Sequence, residues 1–270
     1  MQNPGPRPSS LMLTFLGDYV FGRGRCVFSG SVIDVLGRLG VSEHASRSTL
    51  SRMVNRGLLR RQKHGRRMYF GLTPRTVDIL RDGHTRIWRT GAVNDDWDGT
   101  WTLLGFSLPE AWQRQRHDLR SQLAWAGFGP LQGGLWIAPG HVVVDGIVAE
   151  LGLGARVRVF RATADDLTEI GQLVEDAYDL PRLATGYRDF LTRWDHGTPQ
   201  PYAADPLAAH LSIVTEWLQT IRADPRLPVR HLPQDWPAIV AQKAFHRIEA
   251  ALATPAAELA AQLLETVPEQ

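Results

Sequence analysis

Residues 45–72 read ASRSTLSRMVNRGLLRRQKHGRRMYFGL, and this stretch decides the fold of the amino-terminal third. From about Ala45 to Asn55, Leu50, Met53 and Val54 share one helical face, and Gly57 closes the helix. At about 100° per residue, Ser48, Arg52 and Asn55 fall opposite that face, with Arg47 and Ser51 flanking it. Leu58 and Leu59 then lead into Arg60-Arg61-Gln62-Lys63, a turn at His64-Gly65, and Arg66-Arg67 before the alternating run Met68 to Leu72. That pattern predicts a hairpin with a cationic tip.

Upstream, Leu11, Leu13, Phe15, Leu16, Tyr19 and Val20 predict a buried first helix ended by Gly22 and Gly24. Val32, Val35, Leu36 and Leu39 recur at helical spacing before Gly40 and predict a second. Three helices followed by a basic hairpin spell a winged helix-turn-helix, whose third helix enters a major groove while the wing grips flanking backbone. The charge agrees. Residues 1–89 hold 16 Lys and Arg against 5 Asp and Glu, a net of +11, while the remainder nets −9 and the whole chain only +2. A segregated basic module is the electrostatic footprint of a phosphate-backbone binder.

Composition bounds the rest. With 270 residues, 43% hydrophobic and 21% charged, the chain is long enough for two or three compact units. One cysteine, Cys26, excludes an internal disulfide framework and a Cys-rich zinc site. No run approaches the roughly 18 apolar residues of a membrane span, and Met1 to Ser10 is Pro-rich and polar, so a cytoplasmic protein without a membrane partner is expected. Gly-x-Ser-x-Gly and His-Glu-x-x-His are absent and the nine histidines are scattered. Neither catalytic residues, nor a metal, nor a cofactor is expected.

After an acidic linker at Asn94 to Gly99, Trp101 to Phe106 predicts a strand, and a helix is expected from about Pro109 with Leu119, Leu123 and Ala126 on one face. Strands at Phe128 to Leu131 and Leu135 to Ala138, a helix at Val142 to Leu151 and a strand ending near Phe160 complete the order βαββαβ, that of a ferredoxin-like sandwich. From Asp165 helical patterns dominate: Leu167, Ile170 and Val174 on one helix, Leu207, Leu211, Val214, Leu218 and Ile221 on another, and two final helices near Ile239 to Leu252 and Ala256 to Leu264. The expectation is an α+β protein. Its parts are a winged helix-turn-helix at 1–92, a ferredoxin-like domain at 93–164 and a helical domain at 165–270.

The motifs LTFLGDYV (13–20), RSTLSRMVNRGLL (47–59), GRRMYFGLT (65–73), WDGTWTLLGF (97–106), Gly127-Phe128-Gly129 and LWIAP (135–139), with proline corners at 224–228 and 232–237, span nearly the whole chain. Together they resemble the PaaX-type repressors, the phenylacetic-acid-catabolism family of GntR-like regulators. The resemblance implies a homodimeric transcriptional repressor of double-stranded operator DNA. Its middle domain, similar to a CRISPR-associated nuclease subunit, would pair protomers, and its helical domain would respond to an aryl-CoA thioester that releases the operator. Tyr178-Asp179-Leu180 stands where the family more often has Trp-Asp-Leu.

Arg47, Ser48, Ser51 and Arg52 are the candidates for base edges and nearby phosphates, Arg56 for backbone, and Lys63, His64, Arg66 and Arg67 for the wing. For a small-molecule effector of the CoA-thioester class that the resemblance implies, the candidates are Trp136, Tyr178, Tyr187, Arg188 and Trp194, which offer aromatic faces and a positive charge. Two enzymatic readings compete, a metal-dependent nuclease and an enzyme acting on a CoA thioester. Against the first, Phe106 is followed by Ser107 and Leu108 with no carboxylate until Glu110.

Overall fold

The computed structural model describes residues 6–195 and 205–269, and it joins helices with two antiparallel four-stranded sheets in an α+β architecture. The residues group into two compact units, one of 1–90, 190–219 and 243–270, the other of 91–189 and 220–242. Residues 165–270 are thus shared between both units.

The first unit opens with α1 (Pro8–Tyr19), β1 (Arg25–Phe28), α2 (Ser29–Arg38), α3 (Glu43–Asn55), β2 (Leu59–His64), β3 (Arg67–Leu72) and α4 (Pro74–Thr85). Helix α1 starts on Pro8, whose fixed φ and missing N–H suit a first turn, and buries Leu11, Met12, Phe15, Leu16 and Tyr19. Gly40, at φ +76, takes the left-handed conformation that ends α2 and turns the chain into α3. Val32, Val35, Leu36, Leu50, Met53, Leu59 and Phe70 close one core with α1. Strand β1 and helix α4 were not anticipated. Four residues, RCVF, are too few for a period-2 signal, and α4 is announced only by Thr73-Pro74, where the Thr73 hydroxyl accepts from the Thr76 N–H.

The second unit holds β4 (Thr100–Phe106), α5 (Gln113–Trp125), β5 (Gly129–Gln132), β6 (Leu135–Pro139), α6 (Asp145–Glu150), β7 (Val157–Thr163) and α7 (Ile170–Ala177). Its sheet runs β5-β6-β4-β7 with every neighbour antiparallel, and Leu104 lies opposite both Trp136 and Val159. Leu104, Leu119, Leu123, Phe128, Trp136 and Val157 form the core beneath it. Two expectations are corrected here. Helix α5 begins at Gln113, because Pro109 to Trp112 makes a turn in which the Trp112 N–H donates to the Pro109 carbonyl. Leu167 is 97% exposed ahead of α7, so the apolar stripe begins at Ile170.

Helices α8 (Leu180–Trp194), α9 (Pro206–Arg222) and α10 (Pro237–Leu263) and strand β8 (Thr266–Pro268) complete the described chain. Asp205 caps α9, accepting from the Ala208 N–H at 3.0 Å. The two expected final helices are one: α10 continues through Pro255. Proline removes a ladder hydrogen bond, but the alanine-rich surroundings favour helix and Ala256 and Ala260 are packed into the first unit's core. Strand β8, also unforeseen, pairs with β1 through Arg25–Pro268, Cys26–Val267 and Val27–Thr266, giving the sheet β2-β3-β1-β8.

Candidate nucleic-acid interface

Helix α3 is set by its ends. Ser42 caps it, its hydroxyl accepting from the Ala45 N–H at 3.3 Å, and Gly57 at φ +67 turns the chain toward β2. Ser46, Thr49, Leu50 and Met53 are buried, which leaves Glu43, His44, Arg47, Ser51, Arg52, Asn55 and Arg56 on the exposed side. Ser48 is half-buried. Arg47 is held along the helix by Glu43 at 2.7 Å, and Arg52 donates to the Thr49 hydroxyl at 3.0 Å. The exposed row is therefore cationic, with one carboxylate at its amino end.

The hairpin β2–β3 pairs in unbroken register from Leu59–Leu72 to His64–Arg67, and Gly65 at φ +60 forms its turn. One face carries Phe70 into the core with Met68 and Leu72 against it. Arg60, Gln62, His64, Arg67, Tyr69 and Gly71 share the other face by register. Arg61, Lys63, His64, Arg66 and Arg67 are exposed. The His64 ring stands edge-on to Tyr69, and the Arg67 guanidinium lies 5.1 Å from the centre of the Phe28 ring. Arg67 also pairs with Glu265, which accepts from the Tyr69 hydroxyl, and Arg60 pairs with Glu269. The Tyr69 bond, then Arg67, holds the Glu265 carboxyl below the ordinary glutamate range. Sequence reasoning missed these carboxylates because about two hundred residues separate them from the hairpin.

Of the effector candidates, Tyr178 and Arg188 line one cleft of about 460 Å³ with Glu175, Leu180, Ala184 and Trp236 among its walls. The Tyr178 hydroxyl donates to the carbonyls of Ile137 at 2.7 Å and Gly127 at 3.2 Å, and burial pushes its pKa up. Tyr187 and Trp136 are not on this cleft. Tyr187 is buried and donates to the buried Asp224, whereas Trp136 belongs to the core under the sheet. Trp194 lies in the first unit, its indole N–H donating to Glu216 at 3.0 Å. Trp236, which sequence reasoning treated as part of a proline corner, supplies a buried aromatic wall instead.

No cluster of three or more potential metal ligands occurs among the described residues, and no described helix is long and apolar enough to cross a membrane.

The order of these parts matches three family models. They are described as PaaX-like protein (residues 7–76), PaaX protein central Cas2-like domain (94–174) and PaaX-like protein C-terminal domain (178–262). The chain belongs to the PaaX family. It is 29% identical over 241 residues to the protein named Transcriptional repressor PaaX of Escherichia coli (strain K12), covering 84% of this chain and 75% of that one. It also shares its fold with the uncharacterized protein Rv0674 from Mycobacterium tuberculosis, at 22% identity and a TM-score of 0.62 over 94% of this chain and 98% of the other.

Proposed function

We propose that the protein is a transcriptional repressor that grips double-stranded operator DNA through a winged helix-turn-helix in residues 1–92. Helix α3 enters the major groove, where Arg47, Ser48, Ser51 and Arg52 meet base edges and nearby phosphates and Arg56 meets backbone. The β2–β3 hairpin is the wing, with Lys63, His64 and Arg66 toward flanking phosphates and Arg67 joining them where Glu265 does not hold it. One observation carries the reading: an exposed cationic row on α3 lies in the same unit as a hairpin tip whose Lys63 and Arg66 make no ion pair among the described residues. The name of the E. coli relative supports repression as the outcome.

Residues 93–164, as a ferredoxin-like sandwich, join two protomers. Strand β7 closes one edge of its sheet, and Val159 and Phe160 on it are 44% and 60% exposed. An exposed apolar edge is a template for a second copy of itself. A homodimer would set two recognition helices about 34 Å apart, matching a palindromic operator.

Residues 165–270 answer a small-molecule effector of the aryl- or acyl-CoA thioester class. The supporting feature is the cleft, where an acyl group would lie against Leu180, Ala184 and Trp236 and an anionic part would meet Arg188. Such a ligand lifts repression by binding the DNA-incompetent arrangement better, with a coupling of about 1–3 kcal/mol. The protein acts in the cytoplasm, without catalysis or cofactor.

Binding measured by anisotropy across a salt series tests the interface. Arg52→Ala costs about 1–3 kcal/mol and relaxes sequence preference, whereas Lys63→Gln with Arg66→Gln weakens all duplexes alike and flattens the salt slope by about 0.9 per charge. An unchanged slope in the second variant refutes the wing. Calorimetry with acyl-CoA thioesters tests the cleft, and absence of heat with any of them removes that effector class.

A further inference from the structure

We propose that residues 265–269 form an electrostatic lock on the hairpin, their two carboxylates withholding Arg60 and Arg67 from nucleic-acid phosphate. This rests on the duplex-binding reading above and names a regulation of that same surface.

The segment is seated by more than its strand pairing. The Phe28 N–H donates to the Glu265 carbonyl and the Glu269 N–H to the Gly24 carbonyl, each at 2.9 Å. The Glu265 N–H donates to the Ser31 hydroxyl at 3.0 Å, and that hydroxyl donates to the Leu263 carbonyl at 2.9 Å. Gln62, buried in the middle of β2, donates its amide to the Pro268 carbonyl at 2.9 Å. These bonds fix where the two glutamates stand. Glu265 takes Arg67 and the Tyr69 hydroxyl, and Glu269 takes Arg60 through its Nε at 3.2 Å and a closer Nη2.

Arg60 lies on β2, two strands away from β1 and three from β8, so its guanidinium must cross the face of the sheet. It does so over Gly71. A Cβ at that position would stand 3.2 Å from Arg60 Nε and 2.7 Å from Cys26 Sγ, so the glycine keeps the crossing open. Carboxylate and phosphate both present charged oxygens to the same guanidinium, and an arginine whose charge is neutralised by one attracts the other less. With the lock closed, the hairpin presents Arg61, Lys63 and Arg66; with it open, two further cations join them.

Glu265→Gln with Glu269→Gln keeps the shapes and removes the charges. In the full chain with a mixed-sequence duplex, this variant is expected to bind more tightly at low salt. Its salt slope should steepen by about 1.8, so that its affinity falls about tenfold more than wild type between 50 and 200 mM salt. Equal or weaker binding overturns the lock, and so does tighter binding with an unchanged slope, which would mean that no further phosphate had been neutralised. Either single variant should give about half the slope change, which preserves the test should the double variant fold poorly. A wild-type chain with no salt-dependent duplex binding would overturn the duplex reading itself, whereas wild-type binding with a silent double variant overturns only the lock.

Discussion

Asp18, on the Gly17-Asp18-Tyr19 turn of α1, faces His210 of α9 and Glu249 of α10, and replacing it by asparagine should change how stability depends on pH. His210 Nε2 stands 3.2 Å from Glu249 and Nδ1 stands 3.7 Å from Asp18 Oδ2, while Arg23 bonds the Asp18 carbonyl rather than its carboxylate. Burial, reinforced by Glu249 and opposed by Arg23, pushes the Asp18 carboxyl up to about 7 from 3.8. The folded chain therefore keeps a proton that the unfolded chain has lost. Stability from Asp18 is fully present below about pH 4 and is lost as pH rises to about 7. At about 1.36 kcal/mol per pK unit the whole effect is at most about 4 kcal/mol, and smaller because 23% of the side chain reaches solvent. Burial lowers the His210 pKa, so its contribution runs oppositely and is lost as pH falls below about 6.5. Comparing variant with wild type cancels most of that histidine term. Urea unfolding followed by tryptophan fluorescence from pH 4.5 to 8 should show Asp18→Asn gaining on wild type as pH rises. A gap that is constant, or that moves against the variant with rising pH, would mean that Asp18 is an ordinary ionised partner of a protonated His210, and the reasoning would fail.

Three further expectations follow from close contacts. Gly71→Ala places its Cβ 2.7 Å from the fully buried Cys26 sulfur, so it should cost about 1–3 kcal/mol in thermal unfolding, and an unchanged melting temperature would contradict the packing. Tyr187→Phe takes a hydroxyl donor from the buried Asp224, whose carboxyl burial already pushes upward; a loss of about 1.5–3 kcal/mol is expected, larger at pH 8 than at acid pH where the carboxyl is protonated. Phe160→Asp should shift the protein toward monomer in sedimentation, because the side chain is 60% exposed in the protomer and its replacement leaves the protomer core intact.

What the sequence disclosed was local. The α3 stripe and the hairpin tip were legible because each depends on residues within about one turn or one strand: Leu50 and Met53 go inward, Gly57 and Gly65 take positive φ, and Arg52 and Arg66 stay outside. The alternating order of strands and helices in 100–163 was legible for the same reason. Hidden were the features made by distant pairing. Strand β8 contains three residues and exists only because β1 offers an edge 240 residues earlier. The effector candidates were chosen by residue type, and type does not tell a cleft wall from a core: Tyr178 and Arg188 reach the cleft, while Trp136 and Tyr187 are spent in packing and in a bond to Asp224. Pro255 failed as a helix stop because a local penalty of about 3 kcal/mol is offset once Ala256 and Ala260 are buried and Leu259 and Leu263 pack against the same core.

Distant pairing also revises the charge argument. Counted along the chain, residues 1–89 carry a net +11, but the compact unit they belong to includes 190–219 and 243–270, where acids outnumber bases. That unit holds 19 Lys and Arg against 12 Asp and Glu, a net of +7, and the other unit nets −5. The partition survives folding, but its location changes. Asp205 takes Arg38, Glu265 takes Arg67 and Glu269 takes Arg60, so three of the added acids quench cations of the amino-terminal segment. None of them reaches the exposed side of α3 or the hairpin tip at Lys63 and Arg66, where no ion pair beyond Glu43–Arg47 forms among the described residues. Since exposed charges are screened beyond about 8–10 Å, a partner feels the nearby unpaired cations rather than the total. Arg47 apart, the exposed side of α3 and the hairpin tip at Lys63 and Arg66 thus keep their cations without an ion pair among the described residues, and under the proposed lock the returning strand would set how much charge the hairpin adds.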